Sequence, residues 1–188
     1  GIRMRGLNPN IRSDLGGIAK GYGSDSAIDL LQSMGIQHAV INAGGDLRAI
    51  GSHPDRPWKI GIQHPRQPTV LASLETIKDE SIFTSGDYER FYLEGEHRRH
   101  HVIDPTSGAP VTHTVAATVI HPQATVADAA ATALLAAGAN NLIPLTTSMG
   151  ITQVMLMTAE GELVLSRQMQ RRLEMNNDLN LKLRIIDL

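Results

Sequence analysis

Several short stretches of the chain carry side chains that can bind or move charge. Asp14-Leu15-Gly16-Gly17-Ile18-Ala19-Lys20-Gly21-Tyr22 sets three glycines and a lysine ahead of a helical pattern. The free N–H groups of a helix start, with an ammonium close by, suit an anion. The spacing is neither that of the Walker loop nor that of the dinucleotide fingerprint, and most glycine-rich turns before a helix are structural. Asp128 and Thr132 lie four apart on an Ala-rich run, so they share one helical face. A carboxylate and a hydroxyl form a hard-oxygen pair suited to Mg2+, which keeps waters and substrate phosphates as further ligands. The plainer alternative has Asp128 complementing the dipole from the first turn and Thr132 bonding back to a carbonyl.

His100-His101, followed by Asp104-Pro105 and Gly108, puts two imidazoles at a strand end beside a turn. Histidine is the usual general base near neutral pH. With His97, Arg98 and Arg99 adjacent, a merely solvated basic strand is the alternative. Zinc is disfavoured, because no His-Glu-x-x-His spacing occurs among the eight histidines. Ser85-Gly86-Asp87-Tyr88 offers a hydroxyl, a carboxylate and a phenol at what is otherwise a plain turn.

The elements that must position these groups follow from pattern. Ala27, Leu31 and Met34, broadened by Ile28 and Leu30, predict the buried face of a helix that stops at Gly35. Ala39-Val40-Ile41 predicts a buried strand ended by Asn42-Ala43-Gly44-Gly45-Asp46, whose glycines permit a tight turn or a close approach to a ligand. Alternation from Trp58 to Ile62 and from Leu71 to Ile77 predicts short strands between proline-marked loops. Arg90 to Leu93 and the segment ending at Ile103 predict two arms joined at Gly95-Glu96, and Val115 to Ile120 predicts a strand. Thr125-Val126-Ala127-Asp128 has the Thr-x-x-acid form of a capping box, with a strong helix to Ala137 and Gly138 as its stop. A short helix within 140–149, a hairpin about Glu160-Gly161 and an undecided charged tail after Gln168 complete the pattern. Strands and helices mix without regular alternation, which favours α+β over a doubly wound sheet.

Composition bounds the function. The 188 residues suit one domain, 1–188, of a size that buries about 70% of its unfolded surface without metal or disulfide. A hydrophobic share of 41% with 19% charged residues excludes a disordered chain. Aromatics at 3% and a net charge of −2 argue against a nucleic-acid partner. The absence of cysteine excludes disulfides, thiolate metal sites and a cysteine nucleophile, yet leaves the compartment open. Residues 1–5 carry charge without an apolar core behind it, so they are no export signal. A start on Gly1 without Met leads us to expect a piece of a longer chain, with any signal upstream.

Five motifs in order tie these features together: Asp14 to Tyr22, Asn42 to Asp46, Ser85 to Tyr88, His101-Val102-Ile103-Asp104-Pro105 with Gly108, and Ala127-Asp128-Ala129-Ala130-Ala131-Thr132. Each is weak alone, and the ordered set across 14–138 resembles the FAD:protein FMN transferase family, also called ApbE. The resemblance implies a mixed, mostly antiparallel sheet flanked by helices, T-fold-like. It implies an enzyme that splits FAD at its pyrophosphate with Mg2+, attaches FMN through a phosphoester to a Thr or Ser of a target flavoprotein, and releases AMP. By motif, Asp14, Lys20 and the Val102 backbone correspond to FAD contacts. Gly17 (through its carbonyl), Asp128 and Thr132 correspond to metal ligands, and His101 to the catalytic base, with Asp104 as a candidate to orient it. Some members have a second carboxylate where Ala131 stands, so Mg2+ is expected to bind more weakly here, or only with FAD. Members also carry a substantial region before the glycine motif that completes the flavin pocket. Its near absence leaves two alternatives, an Mg2+-dependent FAD pyrophosphatase and a catalytically incomplete flavin-binding module, and leaves self-association possible. The resemblance places the protein at the cell envelope, on the periplasmic side of the inner membrane, with the cytoplasm as the alternative.

Overall fold

The computed structural model describes residues 14–95 and 97–188. The reading of residues 1–5 and the Glu96 half of the predicted turn therefore lie outside the described residues. Helix α1 (Ala19–Ser33) is followed by β1 (Ala39–Ala43) and β2 (Asp46–Ile50). The two strands are joined by Gly44 and Gly45 at φ +72° and +104°, the two-residue turn whose twist matches a hairpin. Asn42 fastens it by accepting the Gly45 N–H at 2.8 Å. Strands β3 (Lys59–Gln63), β4 (Val70–Glu75), β5 (Glu80–Gly86), β6 (Phe91–Glu94), β7 (His97–His100) and β8 (Thr114–His121) come next. Helices α2 (Ala124–Ala137) and α3 (Leu142–Met149) precede the hairpin of β9 (Gln153–Thr158) and β10 (Glu162–Ser166). The tail holds both a helix, α4 (Arg167–Arg172), and strands β11 (Glu174–Met175) and β12 (Lys182–Ile186).

Seven strands form one sheet in the order β1-β2-β5-β8-β9-β10-β12. Every neighbouring pair is antiparallel except β10 with β12. The fold is thus α+β, with a mixed, mostly antiparallel sheet flanked by helices, as the irregular succession of patterns implied. Strand β8 is buried on both faces because both are covered. Ala117 and Val119 join Phe83 and Leu156 beneath α2 and α3. Ile120 joins Ile82, Met155 and Leu163 against the smaller sheet β11-β4-β3. The pair β6–β7 stands apart as a two-stranded hairpin. No single helix among the described residues is long and apolar enough to cross a membrane.

Small residues bring α1 and α2 together. Ala124, Ala127, Ala130 and Ala131 are buried on α2, and Gly21 is buried on α1. A Cβ at Gly21 would lie 2.3 Å from the Ala124 carbonyl oxygen, so only glycine permits this approach. Residues 17, 21 and 25 meet 132, 128 and 124 in turn, so the helices run antiparallel over their N-terminal halves. Each helix then receives a carboxylate from the other. Gly21 N–H donates to Asp128 Oδ2 at 2.8 Å. Ala124 N–H and Thr125 N–H donate to Asp25 at 2.9 Å, and the Thr125 hydroxyl at 2.8 Å.

This arrangement corrects two expectations. Helix α2 starts at Ala124, with Thr125 inside it and no side-chain cap from Gln123, so the Thr125–Asp128 capping box does not form. Asp25 caps the helix instead, and Asp128 turns away to the neighbouring helix. On α1, Ile28 is buried as predicted, but Leu30 and Met34 are 61% and 70% exposed. The reason is that the buried face of α1 is Gly21, Ser24 and Ile28, with Gly21 set against α2, rather than its most apolar stripe.

Two measurements test the helix pair. Gly21→Ala should lower stability by about 1–3 kcal/mol through overpacking, read as a fall in Tm by circular dichroism. Burial alone would push the Asp25 carboxyl up, but the Thr125 and Ala124 donors and Arg48 outweigh it and hold the pKa below the ordinary 3.8. A carboxylate depressed in this way stabilises fully above its unfolded pKa and loses that contribution as pH falls through the folded value. Asp25→Asn should therefore cost about 0.5–2 kcal/mol at pH 7. In urea unfolding, the gap to the parent should shrink below pH 3.8.

Candidate active site

The helix pair sets the floor of a polar cluster. Gly17, in the turn before α1, lies so close to Thr132 that a Cβ would sit 3.2 Å from the threonine Cγ2. The Thr132 hydroxyl shares a hydrogen bond with Ser85 Oγ at 2.9 Å, which ties α2 to the end of β5. Asp128 is 3% exposed. Its Oδ2 takes the Gly21 N–H, and nothing among the described residues donates to Oδ1. A backbone segment, a carboxylate oxygen and a hydroxyl thus converge at the α1–α2 contact.

Lys20 is the cation of the cluster. Its ammonium bonds the buried carboxylate of Asp46 and lies 3.8 Å from Glu89. Burial alone would lower the lysine pKa, but Asp46, Glu89 and Asp128 together raise it, so Lys20 stays charged. Asp46 is further held by the Thr84 N–H at 2.7 Å. Glu89 is pushed above the ordinary carboxylate range by burial and by Asp46, against the pull of Lys20, His101 and Arg90. A cavity of about 180 Å³ opens beside these groups between the two sheets, lined by Gly44, Gly45, Gly61, Tyr88, Asp46 and Glu89. Burial, with Glu89, Asp46 and Asp87 nearby, pushes the Tyr88 phenol up to about 12. It is therefore a neutral donor near pH 7 rather than a base.

The two adjacent histidines have different roles. His100 is buried, with Nε2 2.6 Å from the Val111 carbonyl and Nδ1 accepting the Val102 N–H at 3.3 Å. A carbonyl only accepts, so Nε2 carries the proton and both nitrogens are spent inside the fold. His101 is exposed, and its Nδ1 lies 3.3 Å from the Arg90 carbonyl. The same logic protonates Nδ1 and leaves Nε2 free. Asp104, expected as an orienting partner, instead accepts the Thr106 N–H at 2.8 Å and the Ser107 hydroxyl at 2.9 Å within its own turn. The Arg90 carbonyl does the orienting.

Of the residues singled out from sequence, the fold brings Gly17, Lys20, Asp128 and Thr132 together. His101 acts on Glu89, which lies 3.8 Å from Lys20. Asp14 is exposed and closes its own turn by accepting the Gly16 N–H at 2.6 Å. Val102 is buried, its N–H spent on His100 and its carbonyl on the Val111 N–H. Sequence reasoning left Asp46, Glu89 and Asp25 without roles and set Ser85 down as a turn residue. Asp46 closes the Asn42–Asp46 motif, which was the one signal pointing to it. Nothing local marks Glu89.

Residues 3–156 match the sequence model of the ApbE family. The chain belongs to the ApbE family. A FAD:protein FMN transferase of Rhodobacter capsulatus is 36% identical over 174 residues, covering 93% of this chain and 33% of the relative. The crystal structure of the ApbE protein of Thermotoga maritima superposes with a TM-score of 0.78 at 33% identity, covering 85% of this chain and 52% of that one. The flavin transferase ApbE of Vibrio cholerae superposes with a TM-score of 0.75 at 31% identity, covering 87% and 53%. This ApbE chain therefore spans about a third of the first relative and about half of the solved structures it matches.

The contrast between the histidines is measurable. His100→Ala strips a buried carbonyl and a buried N–H of their partner and should cost about 1–3 kcal/mol in urea unfolding. His101→Ala removes an exposed ring and should stay within about 0.5 kcal/mol of the parent.

Proposed function

We propose that this chain carries the catalytic half of an Mg2+-dependent FAD:protein FMN transferase. The observation that carries the reading is the convergence of the glycine turn, Lys20, Asp128 and Thr132 at one helix–helix contact, with an exposed imidazole at its side. The donor set fits Mg2+: a carboxylate oxygen with no other partner among the described residues, a hydroxyl and a neighbouring backbone carbonyl are hard ligands. They leave positions for water and phosphate. In this reading Asp128, Thr132 and the Gly17 carbonyl hold the ion. When bound, Mg2+ neutralises charge on the pyrophosphate oxygens.

The protein's own residues do the rest. Lys20 adds a fixed positive charge for the phosphate, and Asp46 and Glu89 hold it in place. His101 Nε2 takes the proton of the acceptor Thr or Ser hydroxyl, a contribution of about 10²–10⁴-fold in rate. The hydroxyl oxygen attacks the flavin-side phosphorus, the bond to the bridging oxygen breaks, and AMP leaves with that oxygen. Positioning and charge dominate such a displacement, which matches a site with no covalent nucleophile. An FAD pocket completed by a longer chain, a target flavoprotein as acceptor and a location at the cell envelope belong to the same proposal.

The test combines the chain with FAD, Mg2+ and an acceptor protein, and weighs the acceptor by mass spectrometry. The expected result is a gain of one FMN, with AMP released. His101→Ala should reduce the gain by about 10²-fold or more, and Asp128→Ala should raise the Mg2+ concentration needed for half-maximal transfer or abolish transfer. AMP and FMN without an adduct would support hydrolysis instead. Neither product would refute both readings.

A further inference from the structure

The hairpin β6–β7 pairs with neither of the larger sheets, and Phe91, Tyr92 and Leu93 on it are exposed. A lone two-stranded hairpin is marginal by itself, so its attachment fixes where it points. That matters because His101 follows β7 directly and rests on the carbonyl of Arg90, the residue before β6.

His100 of β7 makes one attachment, its ring buried with Nε2 2.6 Å from the Val111 carbonyl, and Asp87 makes a second. Asp87 leaves β5 with its N–H on the Val115 carbonyl at 3.0 Å and is only 8% exposed. Arg66, from the loop between β3 and β4, grips it with both terminal nitrogens, at 2.7 and 2.5 Å. Arg98, from β7, donates to the same carboxylate at 3.4 Å and lies 4.2 Å over the Phe91 ring. His64 stiffens the far side by accepting the N–H groups of Arg66 and Gln67 at 3.0 and 3.1 Å. Three elements distant in sequence thus meet on one carboxylate. The bidentate fork sets orientation as well as distance.

Resting on the function proposed above, we propose that Asp87, with Arg66 and Arg98, is a positioning clamp that holds the β6–β7 hairpin and thereby sets His101 against the Lys20 and Asp128 cluster. Asp87 touches no reacting atom. It acts through the imbalance that its loss creates: two guanidinium groups left facing each other, and a hairpin with one attachment fewer. A displacement of about 1 Å at the base is enough to cost about 10²-fold in rate.

The test uses the full chain and two variants, Asp87→Asn and Arg98→Gln. Arg98→Gln leaves the Arg66–Asp87 pair intact and so guards against simple loss of fold. In hydrogen–deuterium exchange, amides of the hairpin and His101 should exchange faster in both variants, with α1 and α2 protected as in the parent. In the transfer assay kcat should fall by about 10²-fold with KM for FAD unchanged, and Arg98→Lys should recover part of it. On a His101→Ala background, Asp87→Asn should cause no further loss. Unchanged exchange in the hairpin, or a loss fully additive with His101→Ala, would overturn the clamp. A parent chain inactive towards FAD would count against the function, while the exchange pattern would still decide the clamp.

Discussion

The hydrogen bond from Gly21 N–H to Asp128 is the contact on which the site depends. It exists only because no side chain at position 21 keeps the α2 backbone away. Once the helices touch, their antiparallel dipoles each lack a partner for the first N–H groups, and each helix supplies the other's carboxylate. Asp25 serves α2 and Asp128 serves α1. The exchange satisfies donors that a buried helix start cannot leave unpaired. It also spends only one oxygen of Asp128, so the contact that builds the fold leaves a carboxylate oxygen for ligation.

The electrostatic character of the site follows from that geometry. Asp46, Glu89 and Asp128 share Lys20, and Glu89 also feels Arg90 and His101. Such a group of acids is tolerable when a lysine is fixed among them, and it favours a further cation together with an anionic ligand over either alone. Ala131, three residues after Asp128, is packed in the core and adds no charge to the cluster.

His100 and His101 show how one step along the chain separates structure from chemistry. Successive residues at a strand end point to opposite sides. One ring turns inward and spends both nitrogens on Val111 and Val102. The other turns outward, with one nitrogen held by Arg90 and one left over. No property of the residue type distinguishes them; the contacts that each ring makes do.

Much of the fold was legible in the sequence. Alternation located most strands, Gly44-Gly45 marked a tight turn that the fold uses to close a hairpin, and the Ala-rich run gave α2, because these patterns record local backbone preference and burial. The glycine turn, Lys20, Asp128 and Thr132 were legible as a site only through their order along the chain. The failures share one cause. The Thr125–Asp128 box looked local, yet the cap comes from Asp25, 99 and 100 residues away in the chain. Leu30 and Met34 looked buried because the period was right, yet the helix chose a glycine face for its neighbour. The sequence by itself determined which segments become helix or strand and which residue types stand near the helix starts. Only the tertiary structure decided which carboxylate caps which helix, which histidine keeps a free nitrogen, and that Asp46 and Glu89 share Lys20. Those choices depend on contacts between distant segments, whose distances no local pattern encodes.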